Sequence, residues 1–112
     1  MRLDGLLMIC QLKNVSVKGR MPQENLLIRC FEYYEKRTVG ITRYYAALGA
    51  NKRVDMILRI WRNTGITIKD YAVLEDGSQY RISFIQELLN DDGLEVMDLT
   101  LEALENNYDL AD

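Results

Sequence analysis

Residues 70–85 read D-Y-A-V-L-E-D-G-S-Q-Y-R-I-S-F-I, and this stretch decides the fold. Tyr80, Ile82 and Phe84 alternate with polar residues, which is the period-two pattern of a half-buried strand. Asp76-Gly77 is a turn dipeptide, because Asp tolerates and Gly prefers the positive φ of a short hairpin. The stretch therefore predicts a β-hairpin on which the other strands assemble.

Four further segments have the composition of strands: residues 6–12, 24–36, 53–62 and 94–101. The segment 53–62 alternates most clearly, with Met56 and Leu58 on one face and Ile57 and Arg59 on the other. The segment 24–36 suits either a strand or a helix. We favour a strand that passes into a turn or bulge at 33–36.

The last of these segments follows N-D-D-G at 90–93, which is a turn signal. Its apolar residues change phase at Val96-Met97, which predicts a β-bulge. The acidic tail that follows is predicted to be either a short helix or disordered.

Two connections separate the earlier strands. Residues 13–22 are basic and contain the only proline, which predicts an exposed loop. In residues 38–52, Thr42 is placed to cap a short helix through Leu48, and Gly49 would end that helix.

We expect one mainly β domain over residues 1–112. It would be a small, partly closed antiparallel β-barrel or a strongly curved sheet of five or six strands with one short helix. Residues 1–23 would form a strand and basic loop, 24–103 the barrel core and 104–112 the acidic tail.

Composition excludes several classes of site. The 112 residues contain no histidine and two cysteines, and 28% are charged. Without histidine, the serine and cysteine triads that need it are excluded, and no C-x-x-C pair suggests zinc. We expect two buried, reduced thiols, no metal, no cofactor and no catalytic activity. Neither a signal peptide nor a membrane-spanning segment is expected, which favours a cytoplasmic product.

Charge is divided unevenly along the chain. Residues 1–62 hold 12 Lys/Arg against five Asp/Glu, a net +7, whereas residues 63–112 hold two against 12, a net −10. A domain with a basic and an acidic half suits head-to-tail contacts between copies; the alternative is that both faces are simply solvated. The overall charge of −3 disfavours sequence-specific binding of nucleic acid.

Basic and aromatic side chains in the two connections are the candidate contacts with a partner or with a channel, because Tyr and Arg are typical interface anchors. Solvation of the loop cations and packing of the tyrosines on a sheet edge are the alternatives. The candidates are Lys18, Arg20, Arg43, Tyr44, Tyr45, Lys52 and Arg53.

The chain resembles the head-closure proteins, also called head–tail connector, stopper or head–tail joining proteins, of long-tailed bacteriophages and prophages. The resemblance covers residues 24–103 and rests on several short motifs. They are the aromatic pair Tyr44-Tyr45, the strand Ile57-Leu58-Arg59-Ile60, the turn Asp76-Gly77 with Tyr80-Arg81-Ile82, and the leucine-rich strand 94–101. Residues 13–22 depart from the family's usual start because they are more basic.

The resemblance implies a structural virion protein, assembled in the host cytoplasm, that forms a homo-oligomeric ring at the head–tail interface. Such a ring closes the DNA-filled capsid and gives the tail its docking surface. Its partners would be portal or adaptor ring proteins and a tail terminator or tail completion protein. Double-stranded DNA would pass through without sequence recognition. By this analogy residues 38–53 would project towards the channel, and Glu95, Asp98 and Glu102 would line a lumen that repels DNA.

A different class of function also fits the residues: a small β-barrel module that binds another protein or single-stranded nucleic acid. A basic half that contains tyrosines has the composition of a stacking platform. Salt-dependent retention of single-stranded DNA would distinguish this reading from the connector.

Overall fold

The computed structural model describes residues 2–15, 23–37 and 54–111. These residues form seven strands, and no helix occurs among them. The strands are β1 (Gly5–Val15), β2 (Gln23–Arg37), β3 (Met56–Trp61), β4 (Tyr71–Val73), β5 (Gln79–Leu89), β6 (Glu95–Ala103) and β7 (Asp109–Ala111). The expected mainly β class is confirmed, with seven strands instead of five or six. The helix expected at Thr42–Leu48 lies outside the described residues.

The strands form one sheet that closes on itself. Its order is β1-β4-β5-β6-β3-β2-β7, and β1 also pairs with β2, so the first six strands make a ring. Every pair in that ring is antiparallel, whereas β7 runs parallel to β2. We call β1–β6 the sheet ring. Closure leaves few free edges, which limits pairing with other chains.

The hairpin predicted at residues 70–85 is confirmed, with β4 and β5 as its strands. Gly77 has a φ of +88° and its N–H donates to the Leu74 carbonyl, while Asp76 accepts from Ser78 N–H at 2.9 Å. The turn at 90–93 repeats this arrangement: Gly93 has a φ of +78° and donates to the Asn90 carbonyl. Both turns follow from local residue chemistry, because each needs a residue that tolerates positive φ.

The main core fills the sheet ring. Its buried members are Leu7, Ile9, Leu58, Ile60, Ile66, Ala72, Ile82, Met97, Leu99 and Leu101. Strand β6 supplies three of them and is also buried on its opposite face, where Val96, Asp98 and Thr100 lie. The β-bulge predicted at Val96-Met97 is wrong, because the β3–β6 register runs without interruption from Met56–Leu101 to Trp61–Val96. A strand that is buried on both faces has apolar residues in both phases.

The bulges lie in the partner strands. In β2, Ile9 faces Cys30 and Cys10 faces Ile28, so Arg29 is the extra residue. The turn or bulge expected at 33–36 is therefore wrong, since β2 continues to Arg37. The extra residue changes the phase of the strand: Cys30 lies on the main-core side, whereas Ile28 packs on the opposite side.

The second bulge lies in the deciding hairpin itself. Ile82 faces Leu101 and Phe84 faces Thr100, which leaves Ser83 as the extra residue of β5. As a result Ile85 packs against the main core, while Phe84 points away from it and is partly exposed. The simple alternation of Tyr80, Ile82 and Phe84 therefore holds only as far as Ile82.

As far as Ala111, the last residue described, the acidic tail is neither a helix nor disordered. After β6 the chain packs Tyr108 against a second core and then forms β7, which pairs with residues 25–27 of β2. The Gln79 side chain fixes this segment by donating to the Tyr108 carbonyl and accepting from the Tyr108 N–H, both at 2.8 Å. The rings of Tyr71 and Tyr108 meet edge to face at 5.9 Å. The second core contains buried Cys10, Leu26 and Val73, surrounded by Met8, Leu12, Ile28, Tyr71 and Tyr108.

Both cysteines are free thiols. Cys10 is fully buried, and burial raises its pKa to about 11. Cys30 is only partly buried, so the expectation of two buried thiols holds for Cys10 alone. No helix that could span a membrane occurs in the part of the chain that the structure describes.

Candidate interaction surface

The seven predicted contact residues lie outside the described residues. Lys18 and Arg20 belong to the connection between β1 and β2, and the other five belong to the connection between β2 and β3. Their role in binding remains a prediction.

The order of the strands places the basic and acidic halves of the chain side by side. Strands β1, β2 and β3 are neighbours on one side of the sheet ring, and β4, β5 and β6 on the other. Ion pairs link the two sides: Arg29 with Asp70, Arg59 with Asp98, and Arg62 with Glu87 and Glu95. Part of the charge of the basic and acidic halves is therefore neutralised within the molecule. Less unpaired charge is then left for contacts with other copies.

The most buried of these pairs joins β3 to β6. Arg59 binds Asp98 through two parallel hydrogen bonds, Nε–Oδ1 at 2.7 Å and Nη2–Oδ2 at 3.0 Å, and both side chains are largely buried. Asp98 therefore does not present a free carboxylate to a lumen, and that expectation is wrong for this residue. Glu95 is exposed but pairs with Arg62, and Glu102 lies 3.8 Å from Arg81.

A second network holds the β3–β4 connection, residues 62–70, against β2. The Arg29 guanidinium donates to Asp70 Oδ2 at 2.6 Å and to the Gly65 carbonyl at 3.0 Å. Asp70 Oδ2 also accepts the Thr67 N–H at 2.9 Å. These bonds keep Ile66 buried in the main core, so the bulge at Arg29 serves to anchor this connection.

The N-terminal residues are attached to the end of β2 by reciprocal bonds to backbone. Asp4 accepts the Lys36 N–H at 2.8 Å, and Glu35 accepts the Arg2 N–H at 2.8 Å. Each of these backbone donors lowers the pKa of the carboxyl group that it meets. Arg2 and Asp4 are thereby held against the end of β2 while both carboxylates are ionised.

The tip of the β5–β6 hairpin exposes two large apolar side chains. Leu89 and Leu94 flank the turn and are 63% and 50% exposed. Hydrogen bonds hold the turn: Asn90 Oδ1 accepts the N–H groups of Asp92 and Leu94 at 3.0 and 2.9 Å. Asp91 and Asp92 are exposed beside the leucines. We call Leu89, Asp91, Asp92 and Leu94 the tip surface.

The tip surface combines apolar and anionic groups on a fixed support, so it suits insertion into an apolar pocket with a basic rim. The sequence reasoning did not single out its leucines. The available signal was two leucines on either side of an N-D-D-G turn, where polar residues would be expected.

No group of three or more metal-ligating side chains occurs among residues 2–15, 23–37 and 54–111. Comparison of the sequence with protein-family models and with curated proteins found no match.

Proposed function

We propose that this protein is a structural component of the virion of a long-tailed bacteriophage. Its fold would act as a small, partly closed barrel, and several copies would form a ring in the head–tail connector. The ring closes the DNA-filled capsid, binds the portal or adaptor ring on one side and offers a docking surface to a tail terminator or completion protein on the other.

The observation that supports this proposal is the placement of the motifs on which the resemblance rests. The strand with Ile57-Leu58-Arg59-Ile60 is β3, the leucine-rich strand is β6, and Tyr80-Arg81-Ile82 begins β5. These three strands are neighbours in the order β5-β6-β3. Motifs that are scattered in the sequence thus form one continuous part of the sheet ring, as a shared fold requires.

The tip surface gives this proposal a contact that can be tested. Leu89 and Leu94 lie together at the tip of one hairpin and are both at least half exposed, so they are candidate anchors for a partner. In a connector, the tip surface would insert between apolar side chains of the portal or adaptor ring. Its two aspartates would face basic residues at the rim of that site.

The test uses portal or adaptor rings purified from the phage that encodes this protein. Wild-type protein should sediment with these rings, and electron microscopy should show an added layer. Leu89→Ser should reduce the bound fraction by about tenfold, because it removes an anchoring side chain. Ile68→Ser is the matched control, since Ile68 is also 63% exposed but lies in the β3–β4 connection. Absence of binding by wild type, or equal loss in both variants, would contradict the proposal.

The alternative is a binding module for another protein or for single-stranded nucleic acid. The observation in its favour is the pair Phe31 and Tyr33, which are two residues apart in β2 and both 56% exposed. Exposed aromatic rings on one face of a strand provide a surface on which bases stack. Salt-dependent binding of single-stranded DNA that is lost on Phe31→Ser and Tyr33→Ser would favour this alternative.

A further inference from the structure

An apolar groove opens beside the second core. It has a volume of about 390 Å³, and its lining includes Leu6, Met8, Phe31, Leu74, Glu75 and Leu110. Leu6 and Met8 lie on the face of β1 that is turned away from the main core, and Phe31 is the strand partner of Met8. Because Phe31 is more than half exposed, the groove is an open extension of the second core.

One wall of the groove is a strand with one edge that no other described strand occupies. Leu110 belongs to β7, and β7 pairs with β2 through residues 25–27. Among the described strands, β2 is its single partner. The other edge of β7 presents backbone N–H and C=O groups, which are satisfied when an extended chain adds to the sheet. A strand at that edge would direct every second side chain to the same face as Leu110, towards the groove.

The charges around the groove are negative. Glu75 lines it, Asp76 follows in the same turn, and Asp109 precedes Leu110. Among the described residues, no Lys or Arg lines the groove, and none forms an ion pair with these three carboxylates. Glu75 is held in place because its Oε1 accepts the Leu6 N–H at 2.7 Å.

We propose that this groove binds an extended segment of a partner protein in which apolar residues alternate with Lys or Arg. The segment would add as a strand along β7, with its apolar side chains against Phe31 and Leu110 and its cations on the opposite face of the strand, beside Asp109. Glu75 and Asp76, at the adjoining turn, would add a longer-range attraction for these cations. This site is separate from the tip surface, and its existence does not depend on the proposed role in a phage connector.

The probe is a fluorescein-labelled seven-residue peptide that alternates Lys and Val, with a twin that carries Glu in place of Lys. Fluorescence anisotropy should show saturable binding of the Lys–Val peptide that weakens as salt rises, and binding of the Glu–Val twin should be at least about tenfold weaker. Phe31→Ser should weaken binding about tenfold. Tyr33→Ser, equally exposed on the same strand but outside the groove lining, should change it less than about twofold.

Two further variants separate the charge from the apolar contribution. Glu75→Gln keeps an oxygen that can accept the Leu6 N–H, so it should preserve the fold while reducing the salt dependence. Leu110→Lys should abolish binding by removing one wall and repelling the peptide. Circular dichroism verifies that each variant is folded. Binding of both peptides alike, or full binding by Phe31→Ser, would overturn the proposal. Analytical ultracentrifugation that shows self-association of the protein, lost on Phe31→Ser, would mean that a second copy occupies the groove. That result would overturn the proposal that a partner protein binds there.

Discussion

Removal of the Arg29 guanidinium tests how the β3–β4 connection is held to the sheet ring. Arg29→Met keeps much of the side-chain volume but removes the bonds to Asp70 and to the Gly65 carbonyl. Asp70 is then left with the Thr67 N–H and without its cation, although its side chain is only 5% exposed. A buried carboxylate that loses its charged partner is the main source of the expected destabilisation.

The magnitude follows from the burial of the two partners. Removing one partner of a fully buried ion pair lowers the free energy of unfolding by about 3–5 kcal/mol. The Arg29 side chain is 35% exposed, so water already screens the pair, and the expected cost falls to about 2–3 kcal/mol. Asp70→Asn keeps an acceptor for the Thr67 N–H and should cost about 1–2 kcal/mol. Because each variant breaks the same contact, the double variant should show a coupling energy of about 1–2 kcal/mol.

The assay is urea unfolding at pH 7, followed by tryptophan fluorescence and circular dichroism. With an m-value of about 1.2 kcal/mol/M, Arg29→Met should lower the midpoint by about 2 M. Arg81→Met is the control, since Arg81 is 58% exposed and lies 3.8 Å from Glu102, and it should cost less than about 0.5 kcal/mol. A coupling energy below about 0.5 kcal/mol would refute the reasoning, because Arg29 and Asp70 would then act independently.

Three other outcomes follow from the fold. Gly77→Ala should lower the free energy of unfolding in urea by about 1 kcal/mol. The reason is the φ of +88°, which disfavours any side chain even though the surrounding space is open. An unchanged midpoint would contradict the positive φ assigned to this turn residue. The lowered pKa of Asp4 means that its contribution to stability is present above about pH 4 and is lost as pH falls through the folded-state pKa. Asp4→Asn should therefore lower the Tm at pH 6 and flatten its decline between about pH 5 and pH 2, and parallel profiles would argue against this bond. Gln79→Ala should release the segment around Tyr108, detected as faster proteolytic cleavage after residue 103, because both anchoring bonds are lost; unchanged cleavage would show that the second core alone holds the tail.

The elements predicted correctly depend on local chemistry. The turns at Gly77 and Gly93 require positive φ, and short turn dipeptides reveal that requirement in the sequence. The strand 53–62 has a clear alternation, so β3 could be located without knowledge of its partners. The mainly β class follows from several such segments and is confirmed.

The elements predicted wrongly depend on partners that are distant in the sequence. The bulges at Arg29 and Ser83 exist because of the register with β1 and β6, and no local pattern distinguishes them from a regular strand. The phase change at Val96-Met97 resembles a bulge, but burial of β6 on both faces explains it. The tail forms β7 because residues 25–27 offer it an edge, which its acidic composition does not indicate.

The candidate surface was less predictable than the fold. The seven residues singled out for contact remain a prediction, since they lie outside the described residues. Leu89 and Leu94 are candidate contacts because they are exposed. Their exposure depends on where the main core ends along the β5–β6 hairpin, and the local sequence does not indicate that point. The cross-sheet ion pairs, such as Arg59–Asp98, show that charge counted along a sequence overestimates the charge available to partners.

The central proposal, that the protein closes the head and joins the tail of a long-tailed phage, is tested most directly by deleting its gene from the phage or prophage genome in which the proposal places it. Electron microscopy of the induced lysate measures the fraction of heads joined to tails, with plasmid expression of the protein as the control. The connector role predicts separate tails and heads that have lost their DNA, with joined particles restored by the plasmid. Infectious, joined particles in the deletion strain would contradict it.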